Sequence, residues 1–237
     1  MQSNKKIDSK ADFLRRSLSV LLFSVSLGSV PGTLAKTARQ HRRQTLRVTE
    51  TRQAEQRLWD LGYWAGPIDG KFDSASRHAL IAFQKVEGRP LTGRLTSKEL
   101  DALMKASRPL PRFAGYAHIE VDITRQVLFV IDENGTVSRI LPVSTGNESR
   151  YLDHGQIHRA HTPRGTFNVS RKIYGWRISS LGALYYPNYI LNGVAVHGSM
   201  SVPTRPASHG CIRVPMFAAK ELSGLMPIGI EVSVYGG

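Results

Sequence analysis

The sequence predicts two folded modules, a small three-helix module followed by a larger, mostly β domain. Between residues 51 and 106 the apolar residues recur at helical spacing, whereas from His118 onward they alternate with polar residues. Two prolines lie in the segment between these patterns, so residues 107–114 are predicted to be a stiff linker. With 237 residues, the chain is long enough for two modest cores, the second over residues 115–237.

The first 50 residues are predicted to precede the folded part. Five Lys and Arg residues come before an apolar stretch over residues 17–30, and small residues follow up to Ala35. This pattern is typical of a secretory signal peptide over residues 1–35, cleaved after Ala35. An uncleaved anchor is the alternative, but the stretch is shorter than the roughly 20 residues that span a bilayer. Residues 36–50 are predicted to be a basic linker.

Composition restricts the class of partner. The net charge of +14 favours an anionic partner, but no aromatic-interleaved basic stripe or zinc-finger spacing accompanies it. We therefore expect an acidic cell-wall polymer and no nucleic acid, in the periplasm or cell wall, with membrane contact only through the signal sequence. The single cysteine permits no internal disulfide, and an unpaired thiol in an exported protein suggests a reactive role.

The helical module has identifiable starts and turns. Apolar residues on one face of its first helix are Ala54, Leu58 and Leu61. Asp73 or Ser74 is positioned to cap a second helix, and Thr96 with Glu99 forms the pattern of a capping box before a third. Glycine-containing turns separate these helices.

This segment, residues 51–106, resembles the peptidoglycan-binding type 1 domain. The matching stretches are Gln56-Arg57-Leu58, Leu61-Gly62-Tyr63, Gly66-Pro67-Ile68-Asp69-Gly70-Lys71-Phe72, Ala79-Leu80, Ala82-Phe83-Gln84 and Leu91-Thr92-Gly93. The resemblance implies that the module binds peptidoglycan. Candidate ligand contacts are Tyr63, Trp64, Asp69 and Arg77, while the alternative for Tyr63 and Trp64 is that they pack inside the module.

The second module begins with strand patterns. Ile119, Val121 and Ile123 alternate with polar residues and predict a strand. Residues 126–131 and 136–143 predict a hairpin around an Asn-Gly turn. Further strands are predicted over residues 166–173 and 228–234, and a helix is predicted after Pro215.

Two residue types suited to acyl transfer flank one loop. A short apolar strand ends in His197, and a turn delivers Cys211 to the start of the next strand. A thiolate attacks carbonyl carbon, and a nearby imidazole can remove the thiol proton and return it to a leaving amine. Gly198 and Gly210 would leave room for a substrate backbone, and backbone N–H groups around Gly210 and Cys211 could stabilise an oxyanion.

Other interpretations of these residues remain open from the pattern alone. A lone cysteine is most often a small buried hydrophobe. Zinc held by His197, His209 and Cys211 is also conceivable, although the spacing fits no standard zinc pattern. A second group of histidines, His154, His158 and His161, is more typical of a solvated loop than of a metal site.

The segments His197-Gly198-Ser199 and Ser208-His209-Gly210-Cys211-Ile212-Arg213 resemble the signature of the L,D-transpeptidase (YkuD-type) catalytic domain. The resemblance implies that Cys211 is the acylated nucleophile and His197 the proton donor and acceptor, oriented by the backbone carbonyl of Gly198. Ser208, His209 and Gly210 would shape the turn and the oxyanion site. Arg213 stands where many members have Asn, and it would pair with a substrate carboxylate or brace the loop. Substrate-binding roles are also expected for Tyr186 and Ser199.

The resemblance implies a reaction that needs no cofactor or metal. Cysteine would attack the carbonyl between the L-centre of a diamino acid and the D-alanine of a stem tetrapeptide, and an amine would then resolve the thioester. The products would be a cross-link or an anchored protein. The alternatives are a carboxypeptidase or endopeptidase that uses water as acceptor, and a non-catalytic cell-wall-binding protein. Arg205 and Arg213 would suit a carboxylate-rich substrate.

Overall fold

A computed structural model describes residues 48–236, which lie in one compact unit. The predicted signal peptide and residues 36–47 of the predicted linker lie outside the described residues. Within residues 48–236, every helix is too short or too polar to cross a membrane.

Three helices precede the first strand in the described part of the chain: α1 (Val48–Asp60), α2 (Ser74–Val86) and α3 (Ser97–Lys105). Helix α1 already includes Val48, so the predicted linker extends too far into the module. Asp73 caps α2, because its carboxylate accepts hydrogen bonds from the N–H groups of Ala75 and Ser76 at 2.8 and 3.0 Å. Thr96 caps α3 through the N–H of Glu99 at 3.3 Å.

The rest of the described chain forms two sheets and a hairpin. The first sheet has the strand order β3-β2-β1-β12-β6, in which β1 and β12 are parallel. Its strands are β1 (His118–Asp122), β2 (Val127–Ile131), β3 (Val137–Pro142), β6 (Gly165–Asn168) and β12 (Glu231–Tyr235). Between β2 and β3 the chain turns at Asn134 and Gly135, as the Asn-Gly pair predicts.

The second sheet has the order β11-β10-β9-β7, with β8 also paired to β9. Its strands are β7 (Arg171–Lys172), β8 (Trp176–Ser179), β9 (Gly182–Leu191), β10 (Val194–Ser199) and β11 (Ile212–Pro215). A separate hairpin consists of β4 (Arg150–Asp153) and β5 (Gln156–Arg159). Helix α4 (Met216–Gly224) follows β11 directly and packs against β9 and β10.

The single strand predicted over residues 166–173 is wrong, because the chain changes sheets there. Residues before Val169 belong to β6 in the first sheet, and those after Ser170 belong to β7 in the second. At the crossing, the Val169 N–H donates to Ile230 O at 3.0 Å and the Ser170 N–H donates to Tyr189 O at 2.9 Å. Each sheet therefore takes one half of an apparently continuous strand.

Strand β1 is buried on both faces, so its alternation does not mark a solvated face. His118, Glu120 and Asp122 are all buried. Glu120 is satisfied internally: its carboxylate lies 3.1 Å from His118 Nε2 and accepts the N–H groups of Arg112 and Phe113 at 3.0 and 2.8 Å. The buried polar side chains thus fasten the segment that connects the two modules.

The helical module and the first sheet share one hydrophobic core. Apolar side chains of α1 and α2 pack against the outer face of β2 and β3, which includes Phe129 and Ile140. Gly62 O accepts the Ile140 N–H at 2.7 Å, and the Trp64 N–H donates to Ile140 O at 3.1 Å. The predicted linker is itself bound to both sides, since Arg108 donates to Asp60 O and Val137 O at 2.6 and 3.0 Å.

Tyr63 lies inside this shared core and Trp64 inside the core of the catalytic domain, with only 1% and 4% of their surfaces exposed. The Tyr63 ring contacts Phe83 edge-on at 5.6 Å, and Arg139 lies over the Trp64 ring at 5.5 Å. Their prediction as ligand contacts is therefore wrong. They are aromatic because a large apolar junction has to be filled, and this packing alternative is the one that the structure contains.

Candidate active site

Two parallel strands bring the predicted catalytic residues to one cavity. In the register of β10 and β11, Val196 pairs with Ile212 and His197 pairs with Arg213. Cys211 immediately precedes β11, so it reaches the same edge of the second sheet as His197. Both side chains line a cavity of about 660 Å³.

His197 is buried and held in one tautomer. Its Nδ1 atom lies 2.9 Å from the carbonyl oxygen of Gly198, and a carbonyl oxygen only accepts hydrogen bonds. The proton therefore resides on Nδ1, and Nε2 is left as the basic nitrogen. Burial, together with the positive charge of Arg213, lowers the pKa of His197 to about 4 against the opposing effect of the Gly198 bond. The imidazole is neutral at pH 7 and available as a base.

Cys211 is half-buried and protonated in the resting site. Burial raises the pKa of its thiol, while the backbone of Ala195 and the charge of Arg213 oppose this shift. The Sγ atom lies 3.7 Å from Gly193 O, at a distance for a weak S–H···O bond. A neutral thiol beside a neutral imidazole favours proton removal during attack rather than a stored thiolate.

The turn before β11 is fixed by its own serine. Ser208 Oγ donates to Cys211 O at 2.5 Å and accepts the Gly210 N–H at 3.1 Å. Of the N–H groups that were expected to face an oxyanion, that of Gly210 is therefore already engaged by a side chain. Gly210 has φ of +130°, and a Cβ atom there would lie 2.7 Å from His161 O, so only glycine fits.

Thr162 supports the turn from outside, and its role was missed in the sequence. Its Oγ1 donates to Gly210 O at 2.7 Å and accepts the Gly146 N–H at 2.8 Å, in a position that is 2% exposed. The available signal was the Thr162-Pro163-Arg164-Gly165 stretch, since a hydroxyl residue before proline is a common turn element.

Gly198 serves packing rather than substrate access. A Cβ atom at this position would lie 2.5 Å from the Cβ of Ala219 on α4 and 3.2 Å from the Cβ of Tyr185. The expectation that Gly198 leaves room for a substrate backbone is therefore wrong. Close approach of α4 to β10 requires glycine there, and this contact fixes the carbonyl that orients His197.

The structure places only some of the predicted substrate contacts in the cavity. Ser199, His209 and Arg213 line it, whereas Tyr186 and Arg205 are not among its lining residues. Tyr186 instead packs edge-on against Tyr174 and Tyr185, at 6.3 and 4.7 Å. Of the aromatic residues expected to line the groove over residues 174–189, Trp176 and Tyr189 do line it, and Tyr151 joins them from outside that region.

Tyr151 could not be assigned from the sequence, because it lies 60 residues before Cys211 on the separate hairpin. Its ring lies 4.6 Å from that of His209, at an interplanar angle of 61°. Its register partner His158 stacks against it at 5.6 Å. The hairpin therefore supplies one wall of the cavity beside the catalytic turn.

The cavity is cationic. Arg171, Arg177 and Arg213 are among its lining residues, which include no Asp or Glu. Arg171 lies over the Tyr189 ring at 3.9 Å, which holds its charge at the wall. Such a surface favours a substrate that carries carboxylates.

In the helical module, Asp69 and Arg77 are exposed, as ligand contacts must be. Asp69 O accepts a hydrogen bond from Arg52 at 3.2 Å. Arg52 lines a groove of about 910 Å³ beside α1, together with Thr49, Gln53, Gln56, Arg57, Asp60, Ile68 and Met104. Arg77 lies elsewhere, against Gly93.

The histidine-rich hairpin forms local ion pairs. Glu148 bonds His161 Nδ1 and Arg159 Nε, each at 2.8 Å, whereas the side chain of His154 is 83% exposed. Within residues 48–236, three or more His, Cys, Asp or Glu side chains nowhere come together in a geometry that would hold a metal ion.

Comparison with known families and structures gives matches over both modules. The YkuD model, described as the L,D-transpeptidase catalytic domain, matches residues 116–234, and the PG_binding_1 model, a peptidoglycan binding domain, matches residues 47–103. No curated protein sequence matches significantly.

Solved structures are also similar. An L,D-transpeptidase from Xylanimonas cellulosilytica DSM 15894 is 40% identical, with a TM-score of 0.74 over 78% of this chain and 93% of that one. An L,D-transpeptidase from Stackebrandtia nassauensis is 24% identical, with a TM-score of 0.46 over 79% of this chain and 91% of that one. One from Mycobacterium smegmatis is 22% identical, with a TM-score of 0.42 over 52% and 59%.

Proposed function

The chain belongs to the L,D-transpeptidase (YkuD) family, and from this premise we propose how its own residues divide the chemistry. The protein is an L,D-transpeptidase with an N-terminal peptidoglycan-binding domain. We assign Cys211 as the nucleophile and His197 as the base and acid. The observation that carries this assignment is a neutral, tautomer-fixed imidazole in the same cavity as the thiol.

In the acylation step, His197 Nε2 accepts the thiol proton as Cys211 Sγ attacks the carbonyl between the diamino acid and the terminal D-alanine of a stem tetrapeptide. The new C–S bond forms a tetrahedral intermediate. When it collapses, the amide C–N bond breaks, and the imidazolium returns its proton to the departing D-alanine nitrogen. The acyl group is then held as a thioester, and the imidazole is neutral again.

In the transfer step, an amine of a second stem attacks the thioester carbonyl. His197 removes a proton from that amine and delivers it to the departing sulfur, so the thiol is regenerated and an amide joins the two stems. Water in place of the amine would give hydrolysis, the carboxypeptidase or endopeptidase alternative. Arg171, Arg177 and Arg213 favour a donor stem whose carboxylates are free.

We assign the helical module to glycan-strand or stem retention through the groove lined by Arg52 and Arg57, with Asp69 at its rim. Six of the eight residues that line the groove have polar or charged side chains, which can form hydrogen bonds with a saccharide or a peptide. The basic, apolar and small-residue pattern of residues 1–35 favours export to the periplasm or cell wall, where this polymer is found.

The assignment is tested by incubation of the protein with a tetrapeptide muropeptide and mass analysis of the products. Cross-linked dimer with release of D-alanine is expected. Tripeptide alone would indicate hydrolysis, and unchanged muropeptide would indicate binding only. Cys211→Ala should abolish every product while retention on peptidoglycan remains, and turnover by that variant would overturn the assignment of the nucleophile.

A further inference from the structure

A lysine from the helical module is buried beneath the catalytic domain. Lys85 lies in the last turn of α2 and is only 6% exposed. Its Nζ atom donates to Gln126 O at 2.8 Å and to Val143 O at 3.1 Å, both in the catalytic domain. Within residues 48–236, no carboxylate lies within ion-pair distance of it.

Burial of an ammonium group costs free energy, and an apolar side chain could fill the same space without that cost. Desolvation lowers the pKa of Lys85 to about 7, so its ammonium form is less favoured than in water. A methionine would fill similar volume without that cost. The chemistry of Cys211 and His197 has no direct use for Lys85, which is not among the residues that line the cavity.

The first residue that Lys85 contacts leads toward the active site. Gln126 has φ of +57° and is 4% exposed. Its side-chain Nε2 donates to Thr145 Oγ1 at 2.7 Å, and its Oε1 accepts the Thr145 N–H at 2.9 Å. These two bonds fix Thr145, which is fully buried, on both its backbone and its side chain.

Thr145 in turn holds the start of the catalytic turn. Its carbonyl oxygen accepts the N–H groups of Ala207 and Ser208, each at 2.9 Å. Ser208 Oγ then bonds Cys211 O and the Gly210 N–H. An unbroken series of hydrogen bonds therefore runs from the helical module to the residue that carries the thiol.

We propose that Lys85 is a positioning residue of the transpeptidase, which holds the Cys211 turn in its reactive placement through Gln126 and Thr145. The proposal rests on the assignment of Cys211 as the nucleophile. Displacement of a nucleophile by about 1 Å can cost on the order of 100-fold in rate. Much of the cavity wall comes from β8, β9 and the β4–β5 hairpin, and within the series only the turn over residues 208–211 reaches the cavity, so the half-saturation concentration should change little compared with the rate.

The test uses the full chain and a carbapenem as an acylating probe. Its β-lactam carbonyl accepts Sγ, the ring C–N bond opens, and the thiol proton passes to the ring nitrogen. The acylation rate constant and the probe concentration at half-saturation are measured by rapid quench and intact mass, normalised to the fraction of thiol that reacts. Normalisation matters because a merely destabilised protein has fewer reactive molecules but an unchanged rate constant.

Lys85→Met removes the donors and keeps the length of the side chain, and Lys98→Met is the control at an exposed lysine of the same module. We expect a fall of about 10- to 100-fold in the rate constant for Lys85→Met, with little change in half-saturation, and no effect of Lys98→Met. A rate constant within twofold of the unmodified protein would overturn the proposal.

A second variant reaches the same series from the catalytic domain. Thr145→Val keeps the shape of the side chain but removes one of its two bonds to Gln126, so it should lower the rate constant by a smaller factor. In the double variant the two losses should be less than additive, because both act on the same turn. Additive losses would overturn the proposal, as would an unaffected Thr145→Val, and this holds even if Lys85→Met fails to fold. If the unmodified protein is not acylated at Cys211, it is the proposed function that fails.

Discussion

The Nδ1–H of His197 donates to the carbonyl oxygen of the next residue in the chain, Gly198, across 2.9 Å. This contact fixes the tautomer, and burial fixes the charge state, since the imidazole pKa falls to about 4. The tautomer of the catalytic base is therefore set by a backbone carbonyl of its own strand rather than by a carboxylate.

The depressed pKa predicts the acid limb of the pH–rate profile. Catalysis needs neutral His197, so kcat/KM for acylation should rise through pH 4 and be nearly complete at pH 5.5. Measurement of kcat/KM from pH 3.5 to 9 tests this. An acid limb near pH 6.5, the ordinary value for histidine, would contradict it.

The same shift affects stability, with a sign that follows from linkage. The folded pKa lies below the unfolded one, so the unfolded chain binds more protons between pH 6.5 and 4. The free energy of unfolding should therefore fall by about 3 kcal/mol as the pH is lowered from 6.5 to 4. Denaturant titrations at several pH values, on the protein and on His197→Gln, measure this. The same dependence of unfolding free energy on pH in both proteins would contradict it.

Gly198→Ala should damage both folding and catalysis. The added methyl group would lie 2.5 Å from Ala219 on α4, so the free energy of unfolding should fall by about 1–3 kcal/mol. Activity per folded molecule should also fall, because the carbonyl that orients His197 must move. Gly224→Ala at the end of α4 is the control, since a Cβ atom there meets nothing within 4 Å.

Thr162→Val should loosen the catalytic turn. It removes the hydroxyl that joins Gly210 O to the Gly146 N–H, which leaves two buried backbone groups unpaired, and this should cost about 1–3 kcal/mol. Thermal unfolding and thiol acylation rates measure the two effects. The exposed Thr166→Val is the matched control, and equal behaviour of the two variants would contradict a role for Thr162.

The cationic cavity predicts a preference among donor stems. A stem whose diamino-acid carboxylate is amidated should show a higher KM than the free acid, and Arg177→Gln should reduce that difference. Because charge attraction acts mainly on binding, kcat should change less than KM. Equal KM values for the two stems would exclude an anion preference.

Tyr63→Phe should stabilise the protein by about 1 kcal/mol. The phenol oxygen is buried without a hydrogen-bond partner among residues 48–236, so its removal relieves a desolvation cost. Retention on peptidoglycan should be unchanged, because the ring is inside the core. Tyr116→Phe is the contrasting variant, since it removes an exposed 2.6 Å bond to Glu231 and should be slightly destabilising.

The catalytic turn was predictable because its determinants are local. Ser208, Gly210 and Cys211 contact one another within four positions, and the strand before them ends at His197. In contrast, Tyr151 reaches the cavity from a distant hairpin, and no periodicity marks it. Residue identity near the motif predicts chemistry, whereas the cavity wall depends on long-range packing.

The surroundings of β1 and of the aromatic pair depend on contacts that the sequence pattern does not contain. An alternating strand is expected to expose its polar side chains, but the polar residues of β1, including Glu120, lie among internal hydrogen-bond partners. Tyr63 and Trp64 were ambiguous for a related reason, because an aromatic residue at a binding surface and one at a domain junction give the same pattern. The contacts of Tyr63 and Trp64 with β3 of the catalytic domain distinguish the two cases, and the local sequence does not contain them.

The outer face of β2 and β3, with Phe129 and Ile140, is covered by α1 and α2 rather than by solvent. Replacement of the helical module by an unrelated wall-binding domain would expose this apolar face to solvent and favour aggregation. Replacement of the helical module therefore requires compensating substitutions on the face of β2 and β3 that it covers.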